Sequence, residues 1–292
     1  MNFTSYDRVK AALEHKESDK IPFDLGGSVL TGMNRWSYSK LRDYLGMPKK
    51  EIVIYDEMQQ LARIDEDMIE RLKIDVRCVD PSEPSEVGLC KSPVVDGKYY
   101  KRTDEWGIDW KMPIDKGLYY DMVKGSLSEA TTKEDLDRFP WPNAKDPARF
   151  ATMKKRADQF VHENKQAYIL GRQYAGIWET ALWMSGFEKF FMDMACEEVF
   201  AHALMEKITD LKMQYWEKAL EAVGDNVLVI SEADDLATQS GLLCSVDMYK
   251  ELVHPYHKKL FQFIKQKAQN KVYIFYHTCG SCMQFIPYLI DE

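Results

Sequence analysis

A histidine and two cysteines stand close together in residues 276–282, where their side chains could share one ligand. One residue separates His277 from Cys279, and Cys282 follows after Gly280. On an extended strand end, residues i and i+2 point to the same side, so the imidazole and the thiol face a common point. Zinc accepts nitrogen and sulfur ligands, and this spacing therefore indicates a zinc site formed by His277 and Cys279. The alternative interpretation is a structural cysteine beside a hydrogen-bonded histidine.

Three carboxylates occupy residues 232–235, directly after an apolar run. Glu232, Asp234 and Asp235 would repel one another if they were buried together, so they would need a metal, a cationic partner or shared protons. We predict catalytic roles for Glu232 and Asp235. A solvent-facing acidic loop is the alternative explanation of the same pattern.

Other polar residues lie on or directly after earlier apolar runs. Asp75 and Arg77 share one face of a predicted strand, either as a simple ion pair or as a catalytic carboxylate with its orienting cation. We predict a catalytic role for Asp75. The segment around Asp24 combines a carboxylate with a flexible glycine turn that could approach a ligand. The predicted substrate-binding residues are Asp24, Gly26, Arg77, Arg172 and Gln173.

Short apolar runs alternate with longer segments of helical period, which predicts βαβ units and a parallel sheet. Strands are predicted near 21–25, 74–79, 167–171, 226–231 and 272–276. Five such units fit either a doubly wound sheet or part of an eight-stranded barrel. No Gly-x-Gly-x-x-Gly follows any strand, which disfavours a dinucleotide-binding fold. Polar residues at the ends of several strands are typical of a barrel active site, so we predict the barrel.

The remaining segments predict helices and one excursion from the barrel. Helical periods cover 6–15, 37–45, 56–72, 147–164, 187–223 with a break near Glu197, 245–267, and the residues from 283 onward. The segment 94–112 is rich in strand formers and turn residues. It predicts a β-hairpin outside the barrel, with a charged loop as the alternative.

Composition excludes several classes of protein. The 292 residues include 39 basic and 47 acidic side chains, a net charge of −8, whereas general nucleic-acid binders carry a basic excess. No run approaches the roughly 18 apolar residues that cross a membrane. The first residues lack the pattern of a secretory signal, and the six cysteines therefore predict reduced thiols in a cytoplasmic protein.

The chain resembles the uroporphyrinogen decarboxylase-like superfamily over essentially its whole length. The resemblance rests on residues 8–13, 21–24, 55–62, 104–107, 141–142, 232–235 and 277–280. It implies an α/β fold, a (β/α)8 TIM barrel, in a single domain over 1–292. The superfamily contains porphyrinogen decarboxylases and zinc-dependent methyltransferases that work with corrinoid proteins.

The resemblance is closer to the methyltransferase branch than to the decarboxylase branch. The decarboxylases carry an Arg-Gln-Ala-Gly-Arg segment after the first strand, whereas residues 24–28 here read Asp-Leu-Gly-Gly-Ser. An acidic strand end is a poor partner for a substrate with many carboxylates. The methyltransferases carry His-x-Cys and a later cysteine as zinc ligands, and His277 and Cys279 match. The resemblance therefore implies zinc-assisted methyl transfer between a small methylated substrate and a thiol or a corrinoid (cobalamin) that a partner protein carries.

Superfamily members continue for three more strands, so we expect this chain to supply about the first five βα units, with a third zinc ligand beyond Glu292. Cys282 and Glu232 are further candidates for that ligand. Two alternative functions stay open: metal-free decarboxylation of a porphyrinogen-like acid, and an inactive, truncated scaffold that binds a corrinoid protein. Open barrel edges are compatible with a homodimer. Neither a nucleic acid nor a membrane is an expected partner.

Overall fold

The structure, a computed structural model, describes residues 3–291 and contains two larger β-sheets surrounded by helices. The strands are β1 (Ile54–Asp56), β2 (Leu61–Ala62), β3 (Val76–Val79), β4 (Lys91–Asp96), β5 (Tyr99–Thr103), β6 (Asp109–Pro113), β7 (Asp121–Lys124), β8 (Ala167–Leu170), β9 (Val229–Ala233) and β10 (Tyr273–His277). The α-helices are α1 (Ser5–Leu13), α2 (Arg35–Tyr44), α3 (Glu66–Leu72), α4 (Lys133–Arg138), α5 (Pro147–Phe150), α6 (Met153–Asp158), α7 (Ile177–Ser185), α8 (Phe187–Cys196), α9 (Glu198–Val223), α10 (Val246–Met248), α11 (His254–Lys267) and α12 (Ile286–Ile290).

The central sheet is parallel, and its strands lie side by side in the order in which the chain forms them. The order β3-β8-β9-β10 runs from one edge to the other, with parallel pairing throughout. A doubly wound sheet would reverse direction about its first strand. The prediction of consecutive parallel strands is therefore confirmed for these four strands.

The two faces of this sheet bury different sets of side chains, as the two-residue period of a strand requires. On β8, Ala167 and Ile169 join a small apolar cluster with Val76 and Val229. Tyr168 and Leu170 point the other way, into the large core formed with α7, α9 and α11. Helices α7, α9 and α11 therefore cover one face of the sheet, and Val9 of α1 packs in the smaller cluster on the other face.

The predicted strand 21–25 is not a strand of this sheet, and that prediction is wrong in detail. The segment runs beside the start of β3, where the Asp75 N–H donates to the Phe23 carbonyl at 2.8 Å. The Phe23 N–H donates to the Asp75 carboxylate at 3.0 Å instead of to a backbone carbonyl. Pro22 has no N–H to contribute to a ladder. Over residues 3–291 the parallel sheet thus has four strands and does not close into a barrel.

The second sheet is antiparallel and consists of β4, β5, β6 and β7 in sequence order. It contains the segment 94–112, for which the sequence predicts a hairpin, and β7 adds a further strand after that segment. Trp106, Ile108 and Trp110 are buried in the large core. The outer strand β4 is exposed along its whole length.

The segment 56–72 is not the single helix that the sequence predicts. It forms the short strands β1 and β2 and then α3, because Gln60 adopts φ +54°, a left-handed conformation that interrupts a helix. The predicted break at Glu197 does separate α8 from α9. None of the helices within residues 3–291 has the length and apolar character needed to span a membrane.

Candidate metal and substrate site

The carboxyl ends of β9 and β10 bring together three side chains that could hold a metal ion. One ligand atom each from Asp235, His277 and Cys279 lies within 4.8 Å of the others. Cys279 Sγ lies 3.4 Å from His277 Nε2, and His277 Nε2 lies 3.7 Å from Asp235 Oδ1. Asp235, predicted as a catalytic residue, is thus the third potential ligand beside His277 and Cys279. Neither Cys282 nor Glu232 belongs to this group among the described residues.

Backbone contacts between the two strand ends hold these residues in place. The Asp234 N–H donates to the His277 carbonyl at 3.0 Å, and the Cys279 N–H donates to Asp235 Oδ1 at 2.8 Å. Gly280 follows with φ +84°, and a Cβ at this position would overlap the Ala237 backbone. Glycine is therefore required to turn the chain directly after Cys279.

The donor set suits zinc, which binds imidazole nitrogen, thiolate sulfur and carboxylate oxygen. Burial raises the pKa of the Cys279 thiol to about 11, and the negative charges of Asp235 and Glu179 act in the same direction. The metal-free thiol is therefore protonated at neutral pH. A zinc ion would have to displace that proton, so its binding would release protons and strengthen as the pH rises.

Glu179 is a site residue that the sequence analysis did not identify. It lies in the first turn of α7, where the Asp234 carboxylate accepts the N–H groups of Trp178 and Glu179 at 2.9 and 2.7 Å. Burial, Asp234 and Asp235 raise the pKa of Glu179 to about 8, while Arg172 lowers it. Glu179 is the lone charged residue in residues 177–185, and that feature is the signal that could have revealed it.

The residues after β8 supply further polar groups. Arg172 donates through Nε to the Tyr174 carbonyl at 2.7 Å. Burial raises the pKa of Asp56, and the charges of Arg172 and Arg102 counteract this effect. Gln173 is 5% exposed, and its Nε2 has no hydrogen-bond partner within the described part of the chain. A buried amide without a partner is available to a ligand.

A second missed carboxylate, Asp80, follows β3 at its carboxyl end. Its carboxylate accepts hydrogen bonds from the Tyr55 hydroxyl and the Cys78 thiol. Gly171 faces Asp80, and a Cβ on Gly171 would overlap that carboxylate. The negative charge of Asp80 also raises the pKa of Asp56, whereas the positive charge of Arg172 lowers it.

Asp75 and Arg77 do not reach this site, contrary to the prediction. Asp75 precedes β3, at the amino end of the sheet, and pairs with Arg8 at 2.5 Å and Lys20 at 3.0 Å. Arg77 pairs with Glu66 of α3 at 2.7 Å. Both residues therefore stabilise the fold, and neither faces the group formed by Asp235, His277 and Cys279.

The position of Glu232 does not fit the catalytic role that the sequence predicts. It is 1% exposed and faces α9, where it accepts a hydrogen bond from Trp216 Nε1 at 2.6 Å. Lys212 of α9 pairs with it at 3.0 Å. The carboxylate is thus fully engaged inside the core, and this geometry gives it a structural role.

Asp24 and Gly26 form a local turn in the structure. Asp24 Oδ1 accepts the Gly27 N–H at 2.9 Å, and burial raises the pKa of Asp24. Gly26 adopts φ +77°, and a Cβ there would contact the side chain of Ile64 at 2.5 Å. Their predicted role in substrate binding stays a prediction.

The fold and the site together define an α/β protein of sequential parallel strands with polar groups at the carboxyl ends of its sheet, the arrangement of a barrel-type enzyme site. The chain belongs to the uroporphyrinogen decarboxylase (URO-D) family, whose model matches residues 107–291. Its fold is similar to that of a solved methyltransferase from Methanosarcina mazei, with 17% identity and a TM-score of 0.57. That likeness covers 99% of this chain and 74% of the other. A search of curated proteins gives no significant match.

Proposed function

We propose that this protein is a zinc-dependent methyltransferase that moves a methyl group between a small methylated substrate and a thiol or a corrinoid carried by a partner protein. The observation that carries the proposal is the group formed by Asp235, His277 and Cys279, whose ligand atoms lie within 4.8 Å of one another. Membership of the URO-D family supports an enzymatic role. The fold that the chain shares with a methyltransferase is consistent with this reaction.

Three protein ligands would leave one position of a tetrahedral zinc site open to substrate. When bound, zinc would hold a thiol as its reactive thiolate or polarise the heteroatom that carries the methyl group. Asp235 and Cys279 would bind the ion, and His277 would complete the set. Glu179 of α7 would supply a further carboxyl group, since the charge of Asp235 helps to raise its pKa.

The charges at this end of the sheet favour methyl transfer over decarboxylation of a porphyrinogen. Asp56, Asp80, Glu179 and Asp235 supply four carboxyl groups, whereas two cations act on them: Arg172 on Asp56 and Glu179, and Arg102 on Asp56. A substrate with many carboxylates needs a surplus of arginine or lysine to bind it. A small substrate with a few polar atoms can instead be oriented by Arg172, Asp80 and the unpartnered amide of Gln173.

Zinc binding is the first test. The metal content of the purified protein and a titration against a chromophoric chelator should give one zinc per chain for the wild type. Cys279→Ser should weaken zinc binding by on the order of a hundredfold, because one of three ligands is lost. Cys196→Ser is the matched control, since Cys196 is an exposed free cysteine at the end of α8. Equal zinc affinity in Cys279→Ser and the wild type would refute the proposed site.

Methyl transfer is the second test. The absorbance of methylcobalamin should change on incubation of the zinc-loaded protein with a small thiol such as 2-mercaptoethanol, and this change should be lost in Cys279→Ser. Uroporphyrinogen decarboxylation by the metal-free protein would overturn the proposal in favour of the decarboxylase. Binding of a corrinoid protein without either reaction would instead support an inactive scaffold.

A further inference from the structure

The antiparallel sheet β4–β7 contacts residues 171–176, the loop that connects β8 to α7, through the hydrogen bond between Asp104 and Tyr174. We propose that Asp104 and Tyr174 are positioning residues, which fix this loop and with it the orientation of the Arg172 side chain. The effect on catalysis rests on the proposed function, whereas the effect on the loop does not. Residues 104–107, which contribute to the family resemblance, would thus have a role although they do not belong to the group of Asp235, His277 and Cys279.

Asp104 is a buried carboxylate that gathers hydrogen bonds from its own sheet and from the loop. It is 6% exposed. Oδ1 accepts the N–H groups of Trp106 and Ile108 at 2.9 and 3.0 Å, and Oδ2 accepts Trp110 Nε1 at 2.7 Å. The Tyr174 hydroxyl also donates to Oδ2. Three donors from residues 106–110 thus hold the carboxylate in place independently of Tyr174.

Tyr174 is held in a backbone conformation that tyrosine rarely adopts. Its φ is +62°, in the left-handed region. Its ring stacks on Trp106 with centroids 5.1 Å apart and meets the edge of Trp183 at 5.9 Å. The hydrogen bond to Asp104 and these ring contacts together offset the cost of this conformation.

The conformation of Tyr174 determines where Arg172 lies. The Tyr174 carbonyl accepts the hydrogen bond from Arg172 Nε at 2.7 Å, so rotation of the backbone at Tyr174 would remove the acceptor. The charge of Arg172 acts on the carboxyl groups of both Asp56 and Glu179. A guanidinium whose Nε is fixed keeps its remaining N–H groups in one orientation, because the group is planar.

The rest of the loop is held from the opposite side, by α9. Tyr215 donates to the Gly171 carbonyl at 2.5 Å, and Lys212 donates to the Ala175 carbonyl at 2.8 Å. Both ends of the loop are therefore anchored to a helix, and its middle is anchored to the antiparallel sheet. Loss of the Tyr174 hydroxyl should loosen the middle while the ends stay in place.

Hydrogen exchange of the loop tests the positioning role without any assay of activity. Tyr174→Phe keeps the ring contacts and removes the bond to Asp104. We expect amides in 172–175 to exchange about tenfold faster than in the wild type, as expected for a lost hydrogen bond to a charged group. Tyr168→Phe is the control, because Tyr168 is a buried tyrosine on β8 whose hydroxyl has no partner within the described residues. Unchanged loop exchange in Tyr174→Phe would overturn the proposal.

Methyl transfer from methylcobalamin to 2-mercaptoethanol tests the route through Arg172. Tyr174→Phe should lower kcat/KM about tenfold with unchanged zinc affinity, since the loss of orientation is comparable to one charged hydrogen bond. In an Arg172→Ala background, the same substitution should have almost no further effect. An equal loss in both backgrounds would show that Tyr174 does not act through Arg172. If the wild type transfers no methyl group, the proposed function fails, and the exchange measurement still decides the role of the loop contact.

Discussion

Lys212→Met should strongly destabilise the protein while leaving the proposed zinc site intact. Lys212 and Glu232 form an ion pair whose side chains are 5% and 2% exposed, with 3.0 Å between Nζ and Oε2. Removal of the ammonium would leave Glu232 as a buried charge without its cationic partner. Zinc affinity should not change, because Glu232 faces α9 and lies outside the group of Asp235, His277 and Cys279.

The expected cost follows from the contacts of the two side chains. Removal of one partner from a buried ion pair costs about 3–5 kcal/mol. Lys212 also donates to the Ala175 carbonyl, which adds about 1 kcal/mol, so the free energy of unfolding should fall by about 4–6 kcal/mol. The double variant Lys212→Met/Glu232→Gln removes both charges and keeps an oxygen for Trp216 Nε1. It should recover all but about 1–2 kcal/mol of the wild-type stability.

Urea denaturation followed by tryptophan fluorescence measures these differences. Lys218→Met is the control, because Lys218 lies on the same helix, is 42% exposed and pairs with Glu221 on the surface. Its cost should stay within about 0.5 kcal/mol. The reasoning would be refuted by a cost below about 1 kcal/mol for Lys212→Met, or by a double variant no more stable than the single one.

Three further substitutions test the turn at Gly280, the raised pKa of Glu179 and the structural role of Asp75. Gly280→Ala should weaken zinc binding about tenfold, because a Cβ at this position overlaps the backbone of Ala237. Gly241→Ala is the control and should leave zinc binding unchanged, since no atom lies within 4 Å of a Cβ there. Equal zinc affinities of the two variants in chelator titrations would contradict this prediction. Burial raises the pKa of Glu179 to about 8, so the folded chain keeps a proton that the unfolded chain releases above pH 4.5. The contribution of Glu179 to the stability of the metal-free protein should therefore fall as the pH rises from 4.5 towards 8, so in urea titrations Glu179→Gln should gain stability relative to the wild type over this range. Burial raises the pKa of Asp75, but hydrogen bonds including that from Arg8 outweigh this and lower it. Asp75→Asn should cost about 2 kcal/mol at pH 7, a difference that shrinks as the pH falls through the folded pKa, with zinc affinity unchanged.

The parallel strands could be predicted because each is a short apolar run between helical segments, but their exact ends could not. The sequence predicts a strand end at Ser231, whereas β9 continues to Ala233. Because side chains alternate along a strand, this extension turns Glu232 toward α9 and away from the site. The position of Asp75 also depends on the exact ends of its strand. Because β3 runs from Val76 to Val79, Asp75 lies before its amino end, and Asp80 is the carboxylate that follows its carboxyl end.

Glu179 of α7 escapes an analysis of helical period because that helix has no polar face, so its lone charge is the one local signal in the sequence. Seven of its nine residues are buried, so its sequence lacks the amphipathic period that reveals a surface helix. Glu179 therefore stands in what reads as a featureless apolar segment. The pair His277 and Cys279 was visible because its spacing is local, whereas the contribution of Asp235 depends on the pairing of β9 with β10.

The loop 171–176 has a consequence for how the protein folds. Its anchors join residues that are far apart in the chain: 70 positions separate Asp104 from Tyr174, 44 separate Tyr215 from Gly171, and 37 separate Lys212 from Ala175. Contacts of such long range require loop closure before they form, and they slow folding relative to local contacts. The surroundings of Arg172 therefore take shape only when the antiparallel sheet, β8 and α9 have all docked. This part of the candidate site should therefore form late in folding, together with the complete fold.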